Sequence, residues 1–427
     1  MGNFLNLVYD DWHHNATHPN INGEKEFGAN NFRRFDGLLN FYEFKNFKRF
    51  RLTEVKNHPD ENFYYVIGHI HEIGHALKAH NILPLPTKVI KHLKENPNLY
   101  VIFLNEHEVE TEETVIGIEN WVIDKGINPK QIYVINNNYN LKKYKEDNNL
   151  SLNVHTIKFL PIKVAKELDM HDTDFITDKQ SEFFVSHNRT PKVHRYALLV
   201  LLKKNKLLQE VDWSLVMGWN HKMDMKHTTI TTFYHELFTE KEIQKMKSEI
   251  DFFEEIDIKK SRYEDNIDWF DKDWDSHVKS LPFHIEWNRV YEKQTYENSY
   301  VNITTESCFK RDNVVHLSEK TFKPLFFNQY PLYVASMDHV KTVKNVYGFD
   351  VFEDILDHSY DSELDQRKRL FKLFDEVKRI YKNKDNFISN YINLKDRFEN
   401  NKKLVIELLN NKDDVEFFTS LIENKKK

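Results

Sequence analysis

Residues 300–336 read YVNITTESCFKRDNVVHLSEKTFKPLFFNQYPLYVAS. The order of residue types in this stretch predicts strand, loop, helix, strand. Tyr300 to Thr304 is a short β-branched and aromatic run, and Pro331 to Val334 opens a second apolar run. Between them Phe322, Leu325 and Phe326 fall at helical spacing, while Pro324 requires a kink or a helix start near Thr321. The polar groups Glu306, Ser307, Ser318, Glu319, Lys320 and Lys323 gather where the first strand ends and the helix begins. In an α/β sheet that is the carboxyl end of a strand, where ligands bind and helix amides can face a phosphate. A carboxylate beside a lysine suits a nucleotide, with Glu319 on the ribose hydroxyls and Lys320 on the diphosphate. The same spacing also fits a surface loop carrying a solvated Glu–Lys pair.

Upstream, alternating strands and helices extend the pattern. A strand is expected over Glu182 to Ser186, followed by HNRTPKVHRYALLVLLKKNKL. Thr190 then Pro191 is a good helix start, a cap residue with proline at the first helical position. The run Tyr196 to Leu202 is apolar almost all round, which predicts a helix buried between layers. Arg195 in its early turns, just behind a strand end, is placed either to clamp a phosphate or to pair with a carboxylate. A further strand is expected near Ser214 to Asn220, and the polar stretch Glu167 to Lys179 is the best linker.

The first part of the chain has the same rhythm. Strands are expected at Leu5 to Tyr9, Phe63 to Ile67, Leu99 to Leu104, Gln131 to Ile135 and Asn153 to Leu160. Helices are expected at Thr87 to Glu95 and at Thr114 to Lys125, the second ended by Gly126 with Pro129 beyond it. Such alternation predicts a parallel, Rossmann-like sheet. The loop after Leu104 carries Glu106, His107 and Glu108, and a carboxylate there is well placed to act as general base on a hydroxyl. The following acids, Glu110, Glu112 and Glu113, also favour the dipole of the next helix.

Two other patterns compete for a role. His71, Glu72 and His75 satisfy H-E-x-x-H, which on a helix would place two imidazoles one turn apart beside a carboxylate base, as in zinc hydrolases. Gly74 lies inside that helix, and Lys78 and Asn81 stand where the extended zinc pattern wants Gly and His. The basic aromatic segment Phe32 to Phe50 could grip a polyanion or stack on bases, or form a half-buried segment with one charged face.

At 427 residues the chain suits two domains, and 30% charged with 40% hydrophobic residues describes a globular protein. The net charge of −6 argues against a dedicated nucleic-acid binder, without excluding a local basic groove. The single cysteine, Cys308, excludes an internal disulfide framework and a multi-cysteine zinc site. With no apolar run of membrane-spanning length and no secretory signal, the expected compartment is the cytoplasm. The expected domains are a Rossmann-like domain over 1–170, a second over 180–360, and charged helices over 361–427 that cap one domain and cross back to the other.

FFVSHNRTPKVHRYALLVLLKKN and NITTES…LSEKTFKPLFFNQYPLYVAS together resemble the donor-binding domain of the α-1,3-fucosyltransferases and their viral and bacterial relatives, over roughly residues 180 to 350. Ser186, Asn188 and Arg195 match that family's strand ending in Ser-Asn and the arginine on the next helix. Glu306 and Ser307 match its Glu-Asn-Ser element without the Asn, and Ser318, Glu319 and Lys320 its Thr-Glu-Lys. His316 and Leu317 replace the tyrosine and isoleucine before that last element. The resemblance implies a two-domain GT-B fold, with 1–170 on the acceptor side and 180–360 binding the nucleotide sugar, and an inverting glycosyltransferase with no metal or other cofactor. A nucleoside-diphosphate sugar, with guanosine diphosphate among the candidates, would be held by Arg195 and Lys320 on the diphosphate and Glu319 on the ribose. An N-terminal-domain carboxylate would deprotonate the acceptor, by position Glu108 with Glu106 in reserve. Neither the sugar nor the acceptor, whether glycan, protein or modified nucleic-acid base, is read from the sequence. The alternatives are a zinc metallohydrolase at 71–75 and a non-catalytic binder of nucleotide or polyanion.

Overall fold

The computed structural model describes residues 4–9, 35, 37–68, 85–105, 109–169, 173–179, 182–188, 192–215, 235–255, 293–309 and 314–423. The H-E-x-x-H pattern at 71–75, Glu106, Glu108 and Thr190–Pro191 lie outside the described residues, as does the first part of the basic aromatic segment. The chain forms two compact units, one made of 1–160 with 410–427 and the other of 161–409.

The first unit is built on a six-stranded, all-parallel sheet. Its elements are β1 (Leu5–Tyr9), β2 (Phe47–Arg51), β3 (Phe63–Gly68), α1 (Thr87–Glu95), β4 (Leu99–Asn105), α2 (Glu112–Asp124), β5 (Ile132–Asn136), α3 (Leu141–Asp147) and β6 (Asn153–Thr156). The strand order is β2-β1-β3-β4-β5-β6. The period-two alternation of a strand divides its apolar residues between two faces. Phe63, Tyr65, Ile67, Val101 and Phe103 enter one core with Val89, Val115 and Val122 of α1 and α2. Tyr64, Val66, Ile102 and Leu104 enter the other, with Phe35, Leu38 and Phe418. Both faces are therefore covered, as near-continuous apolar strands require. Helix α2 starts at a Thr111 cap, whose side chain accepts from the Thr114 amide, and ends at Gly126 in the left-handed region, φ 69°.

Two local expectations change, and a third, the half-buried segment with one charged face, takes form. Only β6, four residues long, forms from the strand expected over Asn153 to Leu160; the chain then turns into α4 (Phe159–Asp169), which takes up the start of the expected linker. The stretch between the strands expected at Gln131 to Ile135 and Asn153 to Leu160 contains a helix, α3, tied to the core through buried Leu141 and Tyr144. Part of the basic aromatic segment becomes β2, which among the described residues pairs on one side only, with β1. Its Lys48, Arg49 and Arg51 are exposed while Phe47 and Phe50 pack on the two cores. Charges on an edge strand discourage pairing with another chain.

The second unit carries a four-stranded parallel sheet. Its elements are β7 (Phe184–Asn188), α5 (Val193–Lys204), β8 (Val211–Leu215), α6 (Glu240–Lys245), α7 (Lys247–Glu255), α8 (Lys293–Asn298), β9 (Val301–Thr305), α9 (Glu319–Phe326), β10 (Tyr330–Val334), α10 (His339–Tyr347), α11 (Gln366–Lys382), α12 (Lys384–Tyr391) and α13 (Lys395–Glu407). Every residue of α5 from Val193 to Leu202 is buried, as its all-round apolar run predicts. Pro324 stands inside α9 and cannot donate to the Lys320 carbonyl four residues back; Thr304 Oγ1 lies 3.5 Å from that oxygen. The last helix, α14 (Asp413–Glu423), belongs to the first unit, where the Tyr64 hydroxyl donates to the Leu421 carbonyl at 2.8 Å. The molecule is thus α/β with two parallel sheets in a two-domain, Rossmann-like layout. Among the described residues no helix is long and apolar enough to cross a membrane.

Candidate functional site

Strand order places the site. In the second unit the sheet runs β10-β9-β7-β8, so the chain goes from β7 to β8 on one side and resumes with β9 on the other. Neighbouring strands whose connections leave in opposite directions open a crevice beyond their carboxyl ends, and ligands of open α/β sheets bind there. The two strands concerned end at Asn188 and Thr305. Residues following those ends, on the loops and on α5 and α9, are the ones the sequence marked.

Glu306, the first residue after β9, is fully buried, and its carboxylate is the hub. Oε1 accepts from the Ser318 amide at 3.2 Å and the Thr321 hydroxyl at 2.5 Å. Oε2 accepts from the Ser318 hydroxyl at 2.7 Å and the Ser307 amide at 3.2 Å. Burial pushes this carboxyl up, but the positive charge of Lys320 opposes it, and the group lies below its ordinary value. Ser318 caps α9: its side chain accepts from the Lys320 amide at 3.2 Å. Lys320 Nζ lies 3.4 Å from the same hydroxyl and pairs with the Glu319 carboxylate. Burial raises Glu319 too, yet Lys320 and Lys323 bring it down to about 2, so it is ionised at neutral pH. Glu319 and Lys320 keep 19% and 22% of their side-chain surface, so this pair, unlike Glu306, can meet a solute.

Arg195 stands behind them, 2% exposed, its Nη2 donating to the Thr305 carbonyl at 3.2 Å. Burial lowers its pKa, and the carboxylates of Glu306 and Glu319 work against that fall. Ser186 and Asn188 tie strands together. Ser186 Oγ donates to the Ile303 carbonyl at 3.0 Å, and the Asn188 side-chain oxygen accepts from the Thr305 hydroxyl. The Asn188 amide donates to Ser214 Oγ at 3.1 Å, joining β8 to the same edge. Ser307 is half-buried, and its carbonyl accepts from Lys192 Nζ at 2.9 Å. All eight expected donor-side residues thus form one connected polar network around Thr305 and Glu306.

Sequence reasoning missed four members of that network. Lys192 precedes α5, and His194 on its first turn contacts the Glu306 carbonyl at 2.8 Å. Thr321 joins Glu306 to His339, whose Nε2 lies 3.2 Å from the Thr321 hydroxyl oxygen. That hydroxyl gives its one proton to Glu306, so His339 carries its proton on Nε2. Burial lowers the His339 pKa to about 4, which keeps the ring neutral. Spacing could have singled out Lys192, three residues before Arg195; nothing local marks Thr321 or His339.

Compared with family models, curated proteins and solved structures, the chain finds no match.

In the first unit, Asn105 ends β4 just before the loop of Glu106 and Glu108, and its side-chain amide donates to buried Glu110 at 3.3 Å. Asn138, after β5, donates to the Glu110 carbonyl at 2.9 Å, so polar side chains also line the carboxyl edge of this sheet. Glu119 accepts from the backbone of Ser151 and Leu152 at 2.9–3.0 Å, a tie within the fold. Among the described residues no three His, Cys, Asp or Glu side chains converge as metal ligands.

Proposed function

We propose that the chain is an inverting glycosyltransferase of GT-B type that uses a nucleoside-diphosphate sugar. The observation that carries this reading is the partly exposed Glu319–Lys320 pair at the Ser318 cap of α9, beside the crevice between β7 and β9. Lys320 offers a cation for the diphosphate and Glu319 an ionised acceptor for the ribose hydroxyls. The resemblance to the α-1,3-fucosyltransferases supports the same roles for Lys320 and Glu319.

In this reaction Glu108, with Glu106 in reserve, takes the proton of the acceptor hydroxyl. The oxygen forms a bond to the anomeric carbon from the face opposite the phosphate, the bond from that carbon to the phosphate oxygen breaks, and configuration inverts. The electron pair leaves with the nucleoside diphosphate, whose growing negative charge is met by Lys320, while Arg195 holds the strand end behind it. Because fixed cations supply the positive charge, this mechanism has no step that needs a bound metal.

The test is a thermal-shift panel of the guanosine, uridine, cytidine and adenosine diphosphates, with and without a chelator. A ligand at a hundred times its dissociation constant adds about 2.7 kcal/mol, a clear rise in melting temperature. Stabilisation by one base, unchanged by chelator and abolished in Lys320→Ala, is expected. No shift with any nucleotide, together with a fall on chelation alone, would overturn the reading in favour of zinc at His71 and His75.

A further inference from the structure

Arg195 was the second cation expected on the diphosphate, and its geometry suits another task. Its guanidinium is 2% exposed, donates to the Thr305 carbonyl and stands among the charges of Glu306 and Glu319. A phosphate reaching it would have to displace the end of β9. Lys192 is placed differently. It is half-buried, it comes from the loop after β7, and its ammonium crosses the crevice to the Ser307 carbonyl on the loop after β9, at 2.9 Å. That carbonyl is a neutral acceptor, which a phosphate oxygen can outcompete because hydrogen bonds between two charged groups are the stronger ones.

The two lysines are joined by a continuous chain of contacts. From Lys192 Nζ it runs through the Ser307 backbone to Glu306 Oε2, then to the Ser318 hydroxyl and to Lys320 Nζ. One ammonium therefore comes from each strand end that flanks the crevice, both fixed to one buried carboxylate. We infer that Lys192 is a direct diphosphate ligand, paired across the crevice with Lys320, while Arg195 acts from behind as a positioning residue. This rests on the reading of the site as a nucleoside-diphosphate site.

The experiment measures binding of inorganic pyrophosphate and of the four nucleoside diphosphates to the full chain by calorimetry. It compares the wild type with Lys192→Ala, Lys192→Arg and Lys192→Gln. Losing one charged contact should weaken binding roughly tenfold or more in Lys192→Ala. Lys192→Arg should recover most of the affinity, and the unliganded melting temperature should not move. Lys192→Gln retains a donor for the Ser307 carbonyl but no charge, so its expected loss matches that of Lys192→Ala; it serves as the readout should Lys192→Ala fold poorly. Wild-type binding with affinities within twofold in both Lys192→Ala and Lys192→Gln would overturn the inference and leave the site reading standing. No binding by the wild type would overturn both.

Discussion

The Ser318 hydroxyl donates to Glu306 Oε2 at 2.7 Å, so one hydrogen bond fixes the cap of α9 to the carboxyl end of β9 across twelve positions of sequence. The same hydroxyl oxygen accepts from the Lys320 amide, which aligns the first turn of the helix. A carboxylate suits the hub because it accepts only, and four donors converge on it.

Glu306→Gln tests that hub. An amide has one acceptor oxygen, and its NH2 group would face a hydroxyl and a backbone N–H that already donate to the carboxylate. Leaving buried partners unmatched should cost about 2–3 kcal/mol, read from the urea midpoint. A loss below about 0.5 kcal/mol, the range of ordinary surface substitutions, would show that the hub is not structural.

Glu319 makes a pH-dependent contribution of known sign. Its folded pKa, about 2, lies below that of an unfolded glutamate. The stabilisation is therefore complete above the ordinary carboxylate range and fades as pH falls toward 2. The stability difference between wild type and Glu319→Gln should be largest at neutral pH and shrink between pH 5 and 3. A difference that stays constant would contradict the ion pair with Lys320.

Lys179 has the opposite charge but the same sign of slope, because burial depresses its folded pKa as well. It is buried, with Nζ donating to the Glu297 carbonyl at 2.7 Å and lying 5.0 Å from the centre of the Tyr391 ring. Burial lowers its pKa to about 7. Between pH 7 and 9 the unfolded chain holds this proton and the folded one releases it. Stability should rise with pH by up to about 1.4 kcal/mol per unit. Lys179→Met should abolish that rise in urea titrations; equal slopes in both proteins would refute the shift.

Asp414 anchors α14 to the first unit. Fully buried, it accepts from the Tyr42 hydroxyl, from the Lys158 amide at 2.9 Å and from His155 Nε2 at 2.9 Å. Asp414→Ala would strand these donors and is expected to destabilise the protein by about 3 kcal/mol. Intact stability by calorimetry would mean that α14 is held by its apolar face alone, through Phe418 and Leu421.

The sequence by itself determined the elements whose apolar spacing is long and clean. β1, β3, β4, β5, β9 and β10 lie within a residue or two of expectation, as do α1 and α2, and Gly126 and Gly348 end helices in the left-handed region as their type suggests. It also marked Glu306, Ser318, Glu319, Lys320 and Arg195, because charged and cap residues beside an apolar strand stand out locally. Only the tertiary structure decided what those residues do. The order β10-β9-β7-β8 is set by which strands bury one another, and no window of sequence contains that choice. Helix α3 was missed because its few apolar residues bind to a core built from distant strands, and the start of α4 was read as strand because Phe159 and Leu160 extend an apolar run. Thr321, His339 and Lys192 belong to the site only because the fold brings three loop ends to one buried carboxylate.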